Sequence, residues 1–169
     1  MTTTDSADVG TGKEGLAVER IFDAPRELVW RAWTEPAHFM RWYGPEGMTS
    51  HACEIDFRVG GRYLIGLRSP EGHDFWSTGT YREIVPLERF VATDSFSDQD
   101  GNVVSPTAFG MGDDVPMEKV NTITFEDLGD GKTRLTVHQL GWPEGMMAQG
   151  AGSNWEQGLD KLTAALADI

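Results

Sequence analysis

Residues 120–140 read VNTITFEDLGDGKTRLTVHQL. On either side of Asp130-Gly131, apolar and polar residues alternate. Ile123 and Phe125, then Leu135 and Val137, share one face against Thr122, Thr124, Thr136 and His138. Side chains of a strand alternate between its two faces, so this pattern predicts strands Val120–Leu128 and Lys132–Leu140 with one buried side. The Asp-Gly pair supplies the turn between them. A different period follows in NWEQGLDKLTAALADI (154–169). Trp155, Leu159, Leu162, Leu166 and Ile169 step by four and three, the spacing of a helix with one apolar stripe. A half-apolar sheet and a one-stripe helix each have a face to bury, and each can bury it against the other.

Upstream, Leu16–Phe22 alternates as a first strand. Asp23 is read as the cap of a helix with Pro25 in its first turn and Leu28, Val29, Ala32 and Trp33 on its apolar face. Thr34-Glu35-Pro36 then leads into a short second helix, Ala37–Trp42, ended by Gly44-Pro45. Met48–Val59 is read as a strand with His51, Cys53, Ile55, Phe57 and Val59 on one face. Gly60-Gly61 is read as a tight hairpin into a strand carrying Tyr63, Ile65 and Leu67. A further pair, 74–85 and 88–96, turns at Pro86-Leu87. Ser97–Val115 is irregular, yet it holds Phe109 and Met111. The fold class is therefore α+β: a curved antiparallel sheet wrapped around a long C-terminal helix, with two short helices after the first strand.

The chain has 169 residues and a formal net charge of −13, from 14 Lys+Arg against 27 Asp+Glu. Nucleic-acid binding runs on basic side chains that neutralise phosphates, so this balance argues against it, as it does against docking on anionic membranes. Six Trp, eight Phe and 39% apolar residues suit a folded core. Residues 1–14 are read as a flexible tail and 15–169 as one domain. No apolar run suggests a signal or a membrane span, so a cytoplasmic location is the expectation. Cys53 is the only cysteine, which excludes an internal disulfide.

Few residues suggest chemistry. His51 and Cys53 lie two apart on one predicted strand face, but a zinc site needs three or four ligands and no other histidine has ligand spacing. No metal or cofactor is expected. Gly10-Thr11-Gly12-Lys13 lacks the spacing and the preceding strand of a phosphate-binding loop. Asp94 shares strand parity with Phe90, Ala92 and Phe96. It is a weak candidate for a catalytic acid or base, against the alternatives of a solvated strand end or an Arg partner. Phe39, Trp42, Tyr63, Trp76, Phe109, Met111 and Trp155 come from the elements expected to surround a space between sheet and helices. They are the candidate ligand-binding residues.

Five segments carry a family resemblance: VERIFDAPRELVWRAWTEPAHFMRWYGP (18–45), IDFRVGGRYLIGL (55–67), GTYREIVPLERFVATDSF (79–96), TITFEDLGDGKTRLTV (122–137) and NWEQGLDKLTAAL (154–166). DGNVVSPTAFGMGDDVPME (100–118) adds a loop seen in bacterial members. Together they resemble the START-like (SRPBCC) superfamily with its helix-grip, Bet v 1-like fold. The nearest branch is the bacterial one related to the C-terminal domain of the activator of Hsp90 ATPase. Asn154 departs from the Gly that usually precedes the helix Trp. The resemblance implies an internal apolar cavity and hence a soluble binding protein for a small hydrophobic or aromatic molecule. It also offers two alternatives: an Hsp90-type co-chaperone or interaction module, and a cavity enzyme of cyclase/aromatase or hydrolase type. An enzyme is the less favoured of these, because no acid–base pair is evident. A protein partner and a monomeric or homodimeric state stay open.

Overall fold

The computed structural model describes residues 15–109, 116–141 and 151–168. The tail assigned to residues 1–14 lies outside them. Strand β1 (Gly15–Phe22) leads into helices α1 (Arg26–Thr34) and α2 (Pro36–Phe39). Strands β2 (Thr49–Ile55), β3 (Arg62–Arg68), β4 (Asp74–Val85) and β5 (Arg89–Ser97) follow. A 3-10 turn covers Pro106–Phe109. Strands β6 (Lys119–Gly129) and β7 (Lys132–Leu140) and helix α3 (Gly152–Leu166) complete the chain. The seven strands form one antiparallel sheet in the order β1-β7-β6-β5-β4-β3-β2. It curls as a half-barrel around α3, the expected helix-grip arrangement. Among the described residues, no helix is long and apolar enough to cross a membrane.

The hairpin β6–β7 turns where its sequence requires. Asp130 and Gly131 both take positive φ, 57° and 74°, the left-handed region open to Asp and Gly. Ile123, Phe125, Leu135 and Val137 then point into the core at 2% exposure or less. Leu159 and Leu162 of α3 meet them with no exposed surface. Burying a leucine side chain removes it from water for about 1.5–3 kcal/mol, so this stripe is a principal source of stability. Arg20 on the edge strand β1 reaches Glu156 at 2.8 Å and Asp160 at 3.0 Å, lacing that edge to α3.

Three local readings are corrected. Asp23 does not cap α1: Pro25 occupies the cap position without a side-chain hydrogen bond, and the exposed Asp23 carboxylate lies 3.5 Å from Lys132. The strand read as Met48–Val59 ends at Ile55, and Gly60-Gly61 is not a two-residue hairpin. Residues 56–61 fold into a compact turn in which the Gly61 amide donates to Arg58 O, while the Gly60 amide and Gly61 carbonyl pair with Tyr81 of β4. The turn drives Phe57 inward against Trp30, Tyr81 and Phe90 and leaves Val59 60% exposed. Third, the β2–β3 register slips between Ser50 and Ala52. This bulge rotates His51 to the outer face, against Trp76 at 5.2 Å between ring centroids, while Cys53 keeps its inward side.

Candidate functional site

The helices and the concave face of the sheet meet in an aromatic nest. Trp33 of α1 stacks on Trp155 of α3 with centroids 5.9 Å apart and rings 20° from parallel. Phe39 of α2 stacks on Tyr43 at 4.5 Å, and Tyr43 meets Trp155 edge to face at 6.1 Å. From the sheet come Tyr63 and Ile65 of β3, Tyr81 of β4, Phe90 and Ala92 of β5, and Asn121 and Ile123 of β6. Together with Ile55 at the end of β2 these residues enclose a cavity of ≈ 40 Å³. On this measure one water needs roughly 10–15 Å³, so the cavity as it stands has room for about three. Tyr43, Ile55 and Trp155 are the wall residues that reach solvent most, which places the mouth among them.

One end of the site is polar. The Tyr63 hydroxyl donates to the Thr93 carbonyl at 2.8 Å and lies 3.3 Å from Asp94 Oδ1. Lys119, opposite Asp94 in the β5–β6 register, places Nζ 4.0 Å from Asp94 Oδ2 and over the Phe96 ring. Gln139 of β7 donates to Asn121 Oδ1 at 2.7 Å and fixes the amide that faces the cavity. Gly79 makes the Tyr63 contact possible. A Cβ there would sit 1.8 Å from Thr93 O and 2.6 Å from Tyr63 Cε2, so any larger residue would force ring and carbonyl apart.

Burial and charge keep the phenols around the cavity protonated. Burial first, and then the nearby Asp94 charge, push the Tyr63 phenol well above its ordinary pKa. The same two causes, in the same order, raise Tyr43, and burial raises Tyr81. All three phenols are therefore donors rather than bases at neutral pH. Burial pushes the Cys53 thiol up to about 12, so it is no nucleophile. The Trp33 indole N–H is buried with no acceptor among the described residues. A buried donor left unpaired costs about 1–3 kcal/mol, and a ligand acceptor in contact with it would recover that.

Of the seven residues proposed from sequence, Phe39, Tyr63 and Trp155 come together on the cavity wall. Trp42 is completely buried one layer behind, its indole N–H donating to Ala32 O at 3.0 Å. Trp76 faces outward: it pairs with Gly66 of β3, and a Cβ at Gly66 would meet both Trp76 and His51. Phe109 ends the 3-10 turn, and its side chain, like all of Met111, lies outside the described residues. Asp94 is buried beside Tyr63 and Lys119 rather than solvated or paired with an Arg. The sequence reading missed Trp33, Tyr43, Tyr81 and Asn121. Trp33 was visible only as one of several apolar helix positions, and Asn121 shares strand parity with Ile123 and Phe125, a signal that was available. No group of three or more His, Cys, Asp or Glu among the described residues is placed to hold a metal.

The family described as activator of Hsp90 ATPase homolog 1-like protein matches residues 23–167. Solved structures with the same architecture come from several bacteria. A protein of Chromobacterium violaceum is 29% identical, with a TM-score of 0.72 over 90% of this chain and 96% of its own. A protein of Nitrosomonas europaea is 23% identical, with a TM-score of 0.74 over 91% and 94%. The AHSA1 protein of Silicibacter pomeroyi is 22% identical, with a TM-score of 0.71 over 90% and 97%. No curated protein matches the sequence.

Proposed function

The chain belongs to the activator of Hsp90 ATPase homolog 1-like family, and from that membership we propose that it binds a small, uncharged aromatic molecule in the cavity between sheet and helices. One observation carries the reading: an aromatic-walled cavity, one of whose wall residues, Trp33, has a buried indole N–H with no acceptor among the described residues. Ligand pockets are mostly apolar with a few placed polar groups, and Trp33, Asn121 and the Tyr43 hydroxyl are such groups. An aromatic wall gives an ionised guest little to replace its water, which favours an uncharged one. Among the described residues no carboxylate or imidazole lines the cavity, which favours holding a molecule over converting it.

The test is a thermal-shift and tryptophan-fluorescence panel of matched pairs, such as 2-naphthol with 2-naphthoate and quinoline with naphthalene. A neutral, acceptor-bearing member at about 100 times its Kd should add about 2.7 kcal/mol to the native state, a rise of several degrees. Trp33→Phe should erase the preference for quinoline over naphthalene. A panel that shifts neither signal, or that favours the carboxylates, would refute the reading.

A further inference from the structure

The cavity is far smaller than the several hundred Å³ of an ordinary ligand pocket, so admission of an aromatic molecule requires part of the wall to move. The wall that reaches solvent is Tyr43 and Trp155, and the backbone just after Tyr43 is held in an unusual way. The Lys161 ammonium of α3 donates to three carbonyls of the segment that follows α2: Gly44 O at 3.1 Å, Pro45 O at 3.4 Å and Met48 O at 3.1 Å. One turn earlier on the same helix, Gln157 Oε1 accepts from the Glu46 amide at 2.8 Å. Gly44 itself adopts φ +110°, a conformation that glycine reaches without steric cost.

We propose that Lys161, assisted by Gln157, is the latch of this site: it clamps residues 44–48 onto α3 and so governs how often Tyr43 swings away from Trp155 to admit a molecule. Three carbonyl dipoles converging on one cation replace its water and leave a single position for the strap. Without them the hydrogen bonds that fix residues 44–48 among the described residues are the Gln157 contact and the Met48–Pro45 backbone bond, beside the packing of Gly44 on Leu67 and Gly47 on Pro70. Burial lowers the ammonium's pKa, with Glu46 opposing, as expected for a charge that has exchanged water for carbonyls. Rotation of this strap opens the mouth without disturbing the sheet. That is the requirement for a gate, whose local opening must cost less than global unfolding.

The inference rests on the proposed ligand reading for its purpose, but its test does not depend on a ligand. Hydrogen exchange on the full chain is compared for wild type and Lys161→Met, which keeps the side chain's length and apolar stem. The expected result is exchange faster on the order of ten-fold for amides of 43–48, with amides of β4 and β5 unchanged. Acrylamide quenching of tryptophan should rise in parallel. Unchanged exchange in 43–48, or equal acceleration throughout the sheet, overturns the latch. Stopped-flow binding of N-phenyl-1-naphthylamine, a neutral apolar fluorophore, adds the functional arm: association and dissociation should both accelerate while Kd changes little. Local exchange that accelerates with no probe binding in either protein upholds the latch and removes the ligand reading. If Lys161→Met does not fold, Gln157→Ala at the half-exposed neighbouring turn serves in its place, with a smaller rise in the same amides and the same overturning result.

Discussion

Replacing Tyr63 by Phe removes one oxygen from the polar end of the cavity and leaves the ring. The structure sets the size of the effect. The hydroxyl donates to Thr93 O at 2.8 Å and approaches Asp94 Oδ1 at 3.3 Å, inside a residue only 8% exposed. A neutral hydrogen bond contributes about 0.5–1.5 kcal/mol and one to a charged group about 1.5–3 kcal/mol. The hydroxyl has one proton, which the short Thr93 bond takes and the long Asp94 contact shares, so the two ranges do not add, and Lys119 at 4.0 Å remains beside the carboxylate. The loss is about 1–2 kcal/mol of stability. For a domain of this size that is a fall in Tm of about 2–8 °C. Urea unfolding followed by circular dichroism measures it, and a cycle with Asp94→Asn should show coupling of about 1 kcal/mol between the two side chains. A loss under about 0.5 kcal/mol, or strict additivity with Asp94→Asn, would mean that Asp94 is satisfied by something other than Tyr63, and the account of this end of the site would fail.

Gly79→Ala places a methyl 1.8 Å from the Thr93 carbonyl, which is backbone and cannot swing aside, so the β4–β5 pairing should break and the variant should lack cooperative unfolding by circular dichroism. Cys53, with its thiol raised to about 12, should react with iodoacetamide at pH 7.5 roughly a thousand-fold more slowly than free cysteine, and alkylation at the free rate would contradict its burial. The Asn102 backbone amide first, then the Asn102 side chain, holds the Asp98 carboxyl below the ordinary carboxylate range. That contribution is present above the unfolded-state pKa and is lost as pH falls through the lower folded-state value. Acid titration by NMR should therefore show the Asn102 amide shifting with a midpoint below that of an ordinary aspartate, and Asp98→Asn should remove the transition.

Elements whose signal is local were legible from sequence. The β6–β7 hairpin announces itself through period-two alternation around two residues that tolerate positive φ, and α3 through a stripe that matches the concave side of the sheet. Errors arose where a distant contact overrode the local pattern. Tyr81 of β4 captures Gly60 and Gly61, so the alternation that runs through Phe57 and Val59 is cut short. A one-residue slip at Ser50–Ala52 reverses His51 but not Cys53, and composition carries no trace of it. The wall of the cavity was half legible for a similar reason. In sequence Trp33 and Trp42 both fall on predicted helices, but α2 spans Pro36–Phe39 and not Ala37–Trp42, and Trp42 lies in the turn beyond it, where its bond to Ala32 O holds it behind the wall that Trp33 lines.

The placement of β1 has a consequence for how the chain is made. Its hydrogen-bonding partner is β7, and the side chain that laces it to the helix, Arg20, finds Glu156 136 residues later. At 5–20 residues per second a ribosome needs roughly 7–27 seconds to synthesise that interval. Throughout it, the first strand has no sheet partner, whereas Trp33 of α1 already has Phe39 and Trp42 within reach. The half-barrel therefore closes only once β7 and α3 are made, and until then Leu16, Val18 and Phe22, all buried in the finished fold, sit on an unpaired strand.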